Sequence, residues 1–215
     1  MQKVKSRLKN LANAILRFFI GFQRPSKAAN MRLLRERGET LESMRIREAT
    51  RADIPRLAAL HVKTWNETYF LVKNPPSYQL REEQWREQFT KDEGSWFCFV
   101  VENQRGELVG FAKGKAYQSE DLSGYSGELN KIYLLREYQR LGLGRQLVAR
   151  VAARFRSSGI NTMVLFGIPQ NPSCAFHEAM GGERLYAGNG EFHGGYGWKD
   201  LEGPASMAVT TRQTA

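Results

Sequence analysis

The sequence predicts an α/β domain on a single mixed sheet with one crossover, in the order β-α-α-β-β-β-α-β-α-β-β. Three observations predict it. Short strand-like runs alternate with helical stretches whose apolar residues recur every three to four positions. Two glycines, Gly142 and Gly144, punctuate the passage from a strand-like run at 128–134 into a helical run at 144–157. The composition, 41% hydrophobic and 25% charged over 215 residues, is that of a soluble globular chain with room for one well-buried domain and an extension.

The first element is a short strand at 44–48. Thr50 with Asp53 three residues on forms a capping-box variant that opens a helix, in which Ile54, Leu57, Leu60, His61 and Trp65 share a face. Pro75-Pro76 interrupts the chain before a second helix carrying Leu80, Trp85 and Phe89. A hairpin follows, made of strand 96–102, a turn at Gly106 and strand 108–115. After a polar loop come the strand at 128–134, the glycine turn and its helix. The buried stripe of that helix is Leu147, Val148, Val151, Ala152 and Phe155, with Arg145, Arg150, Arg154 and Arg156 mostly outside it. A strand at 162–168, a short helix at 173–180 ended by Gly181-Gly182, and closing strands near 183–186 and 195–198 complete the order. No internal repeat is present.

Residues 1–43 read as an extension ahead of a domain at 44–201, and 202–215 as a frayed polar tail. The extension holds ten Lys/Arg against three Glu, so about +7 of the formal net charge of +10 sits there. The pI of 9.8 therefore describes the extension, and no RNA- or DNA-binding motif accompanies it; nucleic acid is not an expected ligand. Val4, Leu8, Leu11, Ile15, Phe19 and Phe22 recur at spacings of three and four among Lys3, Lys5, Arg7, Lys9 and Arg17, which describes a basic amphipathic helix. Three readings stand for residues 1–22: peripheral contact with a membrane or partner, a cleaved targeting segment, or residues ahead of a true start at Met31 or Met44. The stretch is too short and too polar to span a bilayer. Residues 23–43 read as a linker, helical in part at most. Cys98 and Cys174 lack metal-like spacing and read as free thiols of a reducing cytoplasm. His61, His177 and His193 form no zinc signature, and no metal is expected.

Chemistry enters at Gln139-Arg140-Leu141-Gly142-Leu143-Gly144-Arg145. Glycines at the start of a helix let the main chain come close to a ligand. They also leave N–H groups unpaired at the positive end of the helix dipole, which suits a phosphate or pyrophosphate. An ordinary turn is the plain alternative.

Together with the preceding strand, from Glu128-Leu129-Asn130-Lys131-Ile132-Tyr133-Leu134 onward, this stretch resembles the central strand and Q/R-x-x-G-x-G/A loop of the GNAT superfamily of acyl-CoA-dependent N-acetyltransferases. Downstream, Asn171-Pro172-Ser173-Cys174-Ala175-Phe176-His177-Glu178-Ala179-Met180-Gly181-Gly182 is similar to that family's N-x-x-x-x-F-Y-E-x-x-G helix, and Tyr196 to Leu201 to a closing strand of many members. The resemblance covers about residues 44–201. It implies the GNAT fold and transfer of an acetyl group from acetyl-CoA to a primary amine, by direct attack in a ternary complex and without a metal. Acetyl-CoA would lie where strands 128–134 and 162–168 diverge. The pyrophosphate would sit on the amides of Arg140, Leu141, Gly142, Leu143, Gly144 and Arg145, and the pantetheine arm on Ile132, Tyr133 and Leu134. Asn171 would contact the coenzyme, cap its helix, or both.

The resemblance also assigns the proton traffic. Glu128 would take the amine proton through water; otherwise it is a glutamate at a strand end. His177 stands where family members often carry a tyrosine, so it is either the acid for the leaving thiolate or a packing replacement, with water as the acid. The acceptor side would draw on Trp65, Glu67, Tyr69, Trp85, His193 and Tyr196, with Trp85 read as core and Glu67 placed to attract a cationic amine. Small-molecule and peptide amines fit equally, and a homodimer stays open. Two other readings stand beside the enzyme: a catalytically idle acyl-CoA-binding module, and a membrane-associated interaction protein.

Overall fold

A computed structural model describes residues 25–69, 73–91, 94–169, 171 and 173–207, with the main chain alone for Glu120. The amphipathic stretch at 1–22 and residues from 208 onward lie outside the described residues.

Among the described residues one seven-stranded sheet forms from β1 (Arg45–Glu48), β2 (Trp96–Glu102), β3 (Leu108–Ala116), β4 (Gly127–Leu134), β5 (Met163–Phe166), β6 (Glu183–Tyr186) and β7 (Phe192–Trp198). Its order is β1-β2-β3-β4-β5-β7-β6, and β4–β5 is its single parallel pair. A parallel pair needs a crossover, and helix α4 (Leu143–Ser157) supplies it. The expected order of strands and helices is therefore observed, with boundaries shifted by a few residues.

Helices α2 (Ile54–Thr68) and α3 (Tyr78–Thr90) cover one face of the sheet and α4 the other. On the first face Phe111 meets His61 and Trp85, with ring centroids 5.2 and 5.7 Å apart; on the second, Phe97 meets Phe155 at 5.0 Å. The alternation that separates these two sets is broken in β4, with a second irregularity at the turn end of the β2–β3 pair. Lys113 pairs with Lys131, yet the next residue, Gly114, pairs with Leu129, so Asn130 is an extra residue in β4. Such a bulge bends the strand and resets which side chains share a face.

Both stretches that flank the sheet, 26–43 and 202–207, are more structured than their composition suggests. The stretch read as linker contains α1 (Lys27–Glu36), capped by Ser26 and anchored by Leu34 at 1% exposure. The stretch read as a frayed tail opens with α6 (Glu202–Ser206), which lies against α4 and buries Pro204 and Ala205 behind Leu201. In each case a few apolar residues find a complementary surface on the core, and burial decides what a polar composition does not. Among the described residues no helix is long and apolar enough to cross a membrane.

Candidate active site

β4 and β5 pair at Gly127↔Met163 and Glu128↔Val164, and no further. Beyond Glu128 the β3 side of β4 stays paired through Leu134, while β5 turns its ladder toward β7. A wedge thus opens between the two strands. Ile132, Tyr133 and Leu134 lie along its edge, where main-chain groups have no strand partner among the described residues. Such groups are costly to leave unbonded and offer themselves to an extended ligand.

The glycine turn stands at the end of that edge. Arg140 has φ +63° and Gly142, the N-cap of α4, has φ +88°, with Leu141 buried between them. Left-handed residues flanking an ordinary one turn successive amides inward, the arrangement that makes an anion-binding hollow. Among the described residues no main-chain carbonyl accepts from the amides at 140–145; the first helical bond is donated by Gln146 to the Gly142 carbonyl, at 3.1 Å. The two glycines serve different ends. Gly142 is fixed by its dihedral, since a Cβ there would meet nothing within 4 Å, whereas a Cβ on Gly144 would lie 3.3 Å from Phe176 and 3.4 Å from Leu134. Gly144 therefore lets the start of α4 pack tightly against β4 and α5 (Cys174–Ala179).

Three side chains brace this turn from outside. The Asn30 amide donates to the carbonyls of Arg136 and Gln139, both at 2.9 Å. The Arg136 amide donates to Glu67 Oε2 at 2.9 Å, and the Gln139 side chain donates to the Leu134 carbonyl at 2.9 Å. Nearby, the Tyr138 hydroxyl donates at 2.7 Å to the buried Glu39, which Arg105 meets at 3.2 Å. Asn30 and Glu39 were not legible as site residues, because they come from the stretch that reads as linker. Glu67 Oε2 is engaged by the turn, and burial pushes its carboxyl above the ordinary value.

In the turn before α5, Asn171 Oδ1 accepts from the Ser173 amide at 3.0 Å, but the N-cap of that helix is Ser173 and not Asn171 as expected. His177 is 4% exposed, with the rings of Phe176, Tyr196 and Trp198 at 5.3, 5.4 and 6.4 Å. Burial pushes its pKa down to about 4, and Nδ1 has no partner, so the imidazole is neutral inside an aromatic box. Tyr196 is buried with its hydroxyl 3.2 Å from Glu178, and His193 is exposed beside Glu191 at 3.5 Å.

On the α2/α3 face, Glu128 lies 3.0 Å from Lys115 and accepts from Asn130 Nδ2 at 2.6 Å. Together with Ser95, Lys115 and Tyr117 it walls a cavity of about 240 Å³. The bulge at Asn130 brings Lys131 and Tyr133 onto this same face, next to Lys113 and Phe111. Tyr133 lies 5.5 Å from His61, whose pKa burial pushes down to about 3, helped by the charges of Arg81, Lys131 and Lys113. Trp85 is core, as expected, and the Trp65 ring meets that of Tyr69 at 5.1 Å, tilted by 48°. Arg81, Lys113 and Lys131 were missed from the sequence. Alternation pairs Lys113 with Lys115, but the odd spacing of Glu128 and Lys131 hides their shared face until the bulge is seen.

Comparison with known proteins agrees with this geometry. Residues 57–182 match the family described as "Acetyltransferase (GNAT) family". The chain is 36% identical over 167 residues to the uncharacterized N-acetyltransferase YuaI of Bacillus subtilis (strain 168), an alignment covering 73% of this chain and 93% of that protein. It is 28% identical over 116 residues to a phosphinothricin N-acetyltransferase of Streptomyces viridochromogenes, covering 52% and 59%. Its fold is similar to that of the PaiA N-acetyltransferase from Thermoplasma acidophilum in complex with coenzyme A, with a TM-score of 0.54, 20% identity, and 72% and 98% coverage. With most of the sheet and both signature stretches inside the matched region, the chain belongs to the acetyltransferase (GNAT) family.

Proposed function

We propose that this chain transfers an acetyl group from acetyl-CoA to a primary amine, by direct attack in a ternary complex. The observation that carries the reading is the β4 edge, without a strand partner beyond Glu128 among the described residues, beside amides at 140–145 that no main-chain carbonyl accepts from. The amides of residues 140–145 suit a pyrophosphate, aided by the α4 dipole. The edge at Ile132, Tyr133 and Leu134 suits the amide groups of a pantetheine arm, bound as an added strand would be. The Leu134 amide, next to the wedge, would stabilise charge growing on the thioester oxygen. Asn171 is proposed as a further coenzyme contact.

In the transfer itself the amine nitrogen bonds to the thioester carbonyl carbon and the C–S bond breaks. Glu128 takes the amine proton through water, and the thiolate takes a proton from water. His177 fits packing better than acid catalysis: it is enclosed by three rings and neutral near pH 7. The free thiols Cys98 and Cys174 suit a reducing cytoplasm.

Free-thiol release from acetyl-CoA, measured over a panel of amine classes, tests the reading. The expected result is amine-dependent release that Glu128→Gln slows by about 100-fold, the range ascribed to a positioned base. Coenzyme binding without release from any amine would instead favour an idle acyl-CoA-binding module.

A further inference from the structure

On the α2/α3 face three cations gather, and among the described residues none of them has a carboxylate within ion-pair distance. Lys113 is 8% exposed, and Lys131 and Arg81 are partly buried. Lys113 and Lys131 are direct cross-strand partners, an arrangement in which like charges destabilise a sheet. The Lys131 ammonium meets the Asn130 side-chain oxygen at 3.2 Å, and that of Lys113 meets Gln88 and lies 5.4 Å from the Trp96 ring centre. Arg81 donates to Gln84 at 2.8 Å, but its Nε is enclosed and unbonded. His61, 2% exposed, sits within range of all three charges, and its Nδ1 is unbonded too. Glu128, the carboxylate of this face, lies 3.0 Å from Lys115 and acts on Lys113 and Lys131 only at longer range. Among the described residues no ion pair involves Arg81, Lys113 or Lys131.

Buried cations without counter-ions are costly, and a fold keeps them where an anion arrives to offset the cost. The strain is visible in the lysines: burial and the neighbouring charges push Lys113 down to about 8 and lower Lys131 as well. The proposed pyrophosphate hollow does not use these side chains, since it is built of main chain at the other end of β4. We propose that this face is an anion subsite for the acceptor, so that the acceptor is an amine that also carries an oxyanion group such as a carboxylate, phosphonate or phosphinate. This rests on the acetyl-transfer reading of the same site. Lys113↔Lys131 and Lys115↔Glu128 are two positions apart along β3, roughly 7 Å at the rise of a strand. An amine near the Glu128 water and an acid near Lys131 thus belong to one small amino acid, with its two groups a few bonds apart.

Matched acceptor pairs test this on the full chain: a small amino acid against its amide, and an aminoalkylphosphonate against its diester. The acid member is expected to have the higher kcat/KM by at least about tenfold, and either Lys131→Met or Arg81→Gln to shrink that ratio mainly through KM. A neutral member turned over as well as its acid in both pairs would overturn the proposal, as would a ratio untouched in both variants. If no amine of any kind is acetylated, the transferase reading fails instead. Calorimetry with the same phosphonate then decides the subsite: binding that weakens in Lys131→Met sustains it, and no binding to the wild type ends it.

Discussion

At the proposed coenzyme end of the wedge the positive field comes from main-chain amides at 140–145; at the proposed acceptor end it comes from the side chains of Arg81, Lys113 and Lys131. The first is held by backbone dihedrals, helix start and an outside brace from Asn30, so its proposed anion site is built of main chain and owes little to side-chain identity. The second depends on residues from α3, β3 and β4 meeting over a bulge, and on charges that the fold holds at a cost. A common coenzyme suits the first kind of site, and a particular acceptor suits the second.

The comparison is broken most directly at Gly142. Replacing it with Glu places a side chain at φ +88° and a carboxylate over the amides, so coenzyme affinity in calorimetry should fall by more than about 100-fold. Gly142→Ala separates the dihedral part, and an unchanged affinity in Gly142→Glu would remove the hollow from the site. Next in size, Lys113→Met should stabilise the fold by about 2 kcal/mol in urea titrations near pH 7, since a desolvated cation is lost. The sign follows from the depressed folded pKa. Between about 8 and the ordinary lysine value the unfolded chain holds the extra proton, so wild-type stability rises with pH and the advantage of the variant shrinks there.

Asn30→Ala removes two bonds to the turn and should cost about 1 to 2 kcal/mol, with coenzyme affinity a few-fold weaker and faster amide exchange around residues 136–139. An unchanged coenzyme affinity would make α1 a purely stabilising addition. The smallest effect is expected at His177→Phe, with turnover within about threefold of wild type because a ring of similar volume refills the aromatic box. The same variant should resist acid better. His177 is neutral when folded down to about 4, so wild-type stability falls as pH drops from the ordinary histidine value through that point. A tenfold loss of turnover with intact folding would return His177 to the chemistry.

The coenzyme half of the site was legible because its signals are local. Glycine spacing, strand-to-helix passage and the Asn171 turn each depend on residues a few positions apart, and the structure shows a left-handed Gly142 at the start of α4 and Asn171 bonded to the Ser173 amide. The role of residues 26–43 was hidden because Asn30 and Glu39 act on Arg136, Gln139 and Tyr138, about a hundred positions away. Glu67 illustrates the same limit. Its sequence context reads as an exposed charge near the acceptor, and the fold spends it on a main-chain amide.

By itself the sequence determined the order of strands and helices, the place of the glycine turn and the membership of a family, since periodicity and turn chemistry are short-range properties. Tertiary structure alone decided which side chains share the α2/α3 face of the sheet. One inserted residue at Asn130 moves Lys131 across the sheet, and a two-residue alternation cannot report an insertion whose only trace is how the neighbouring strand pairs.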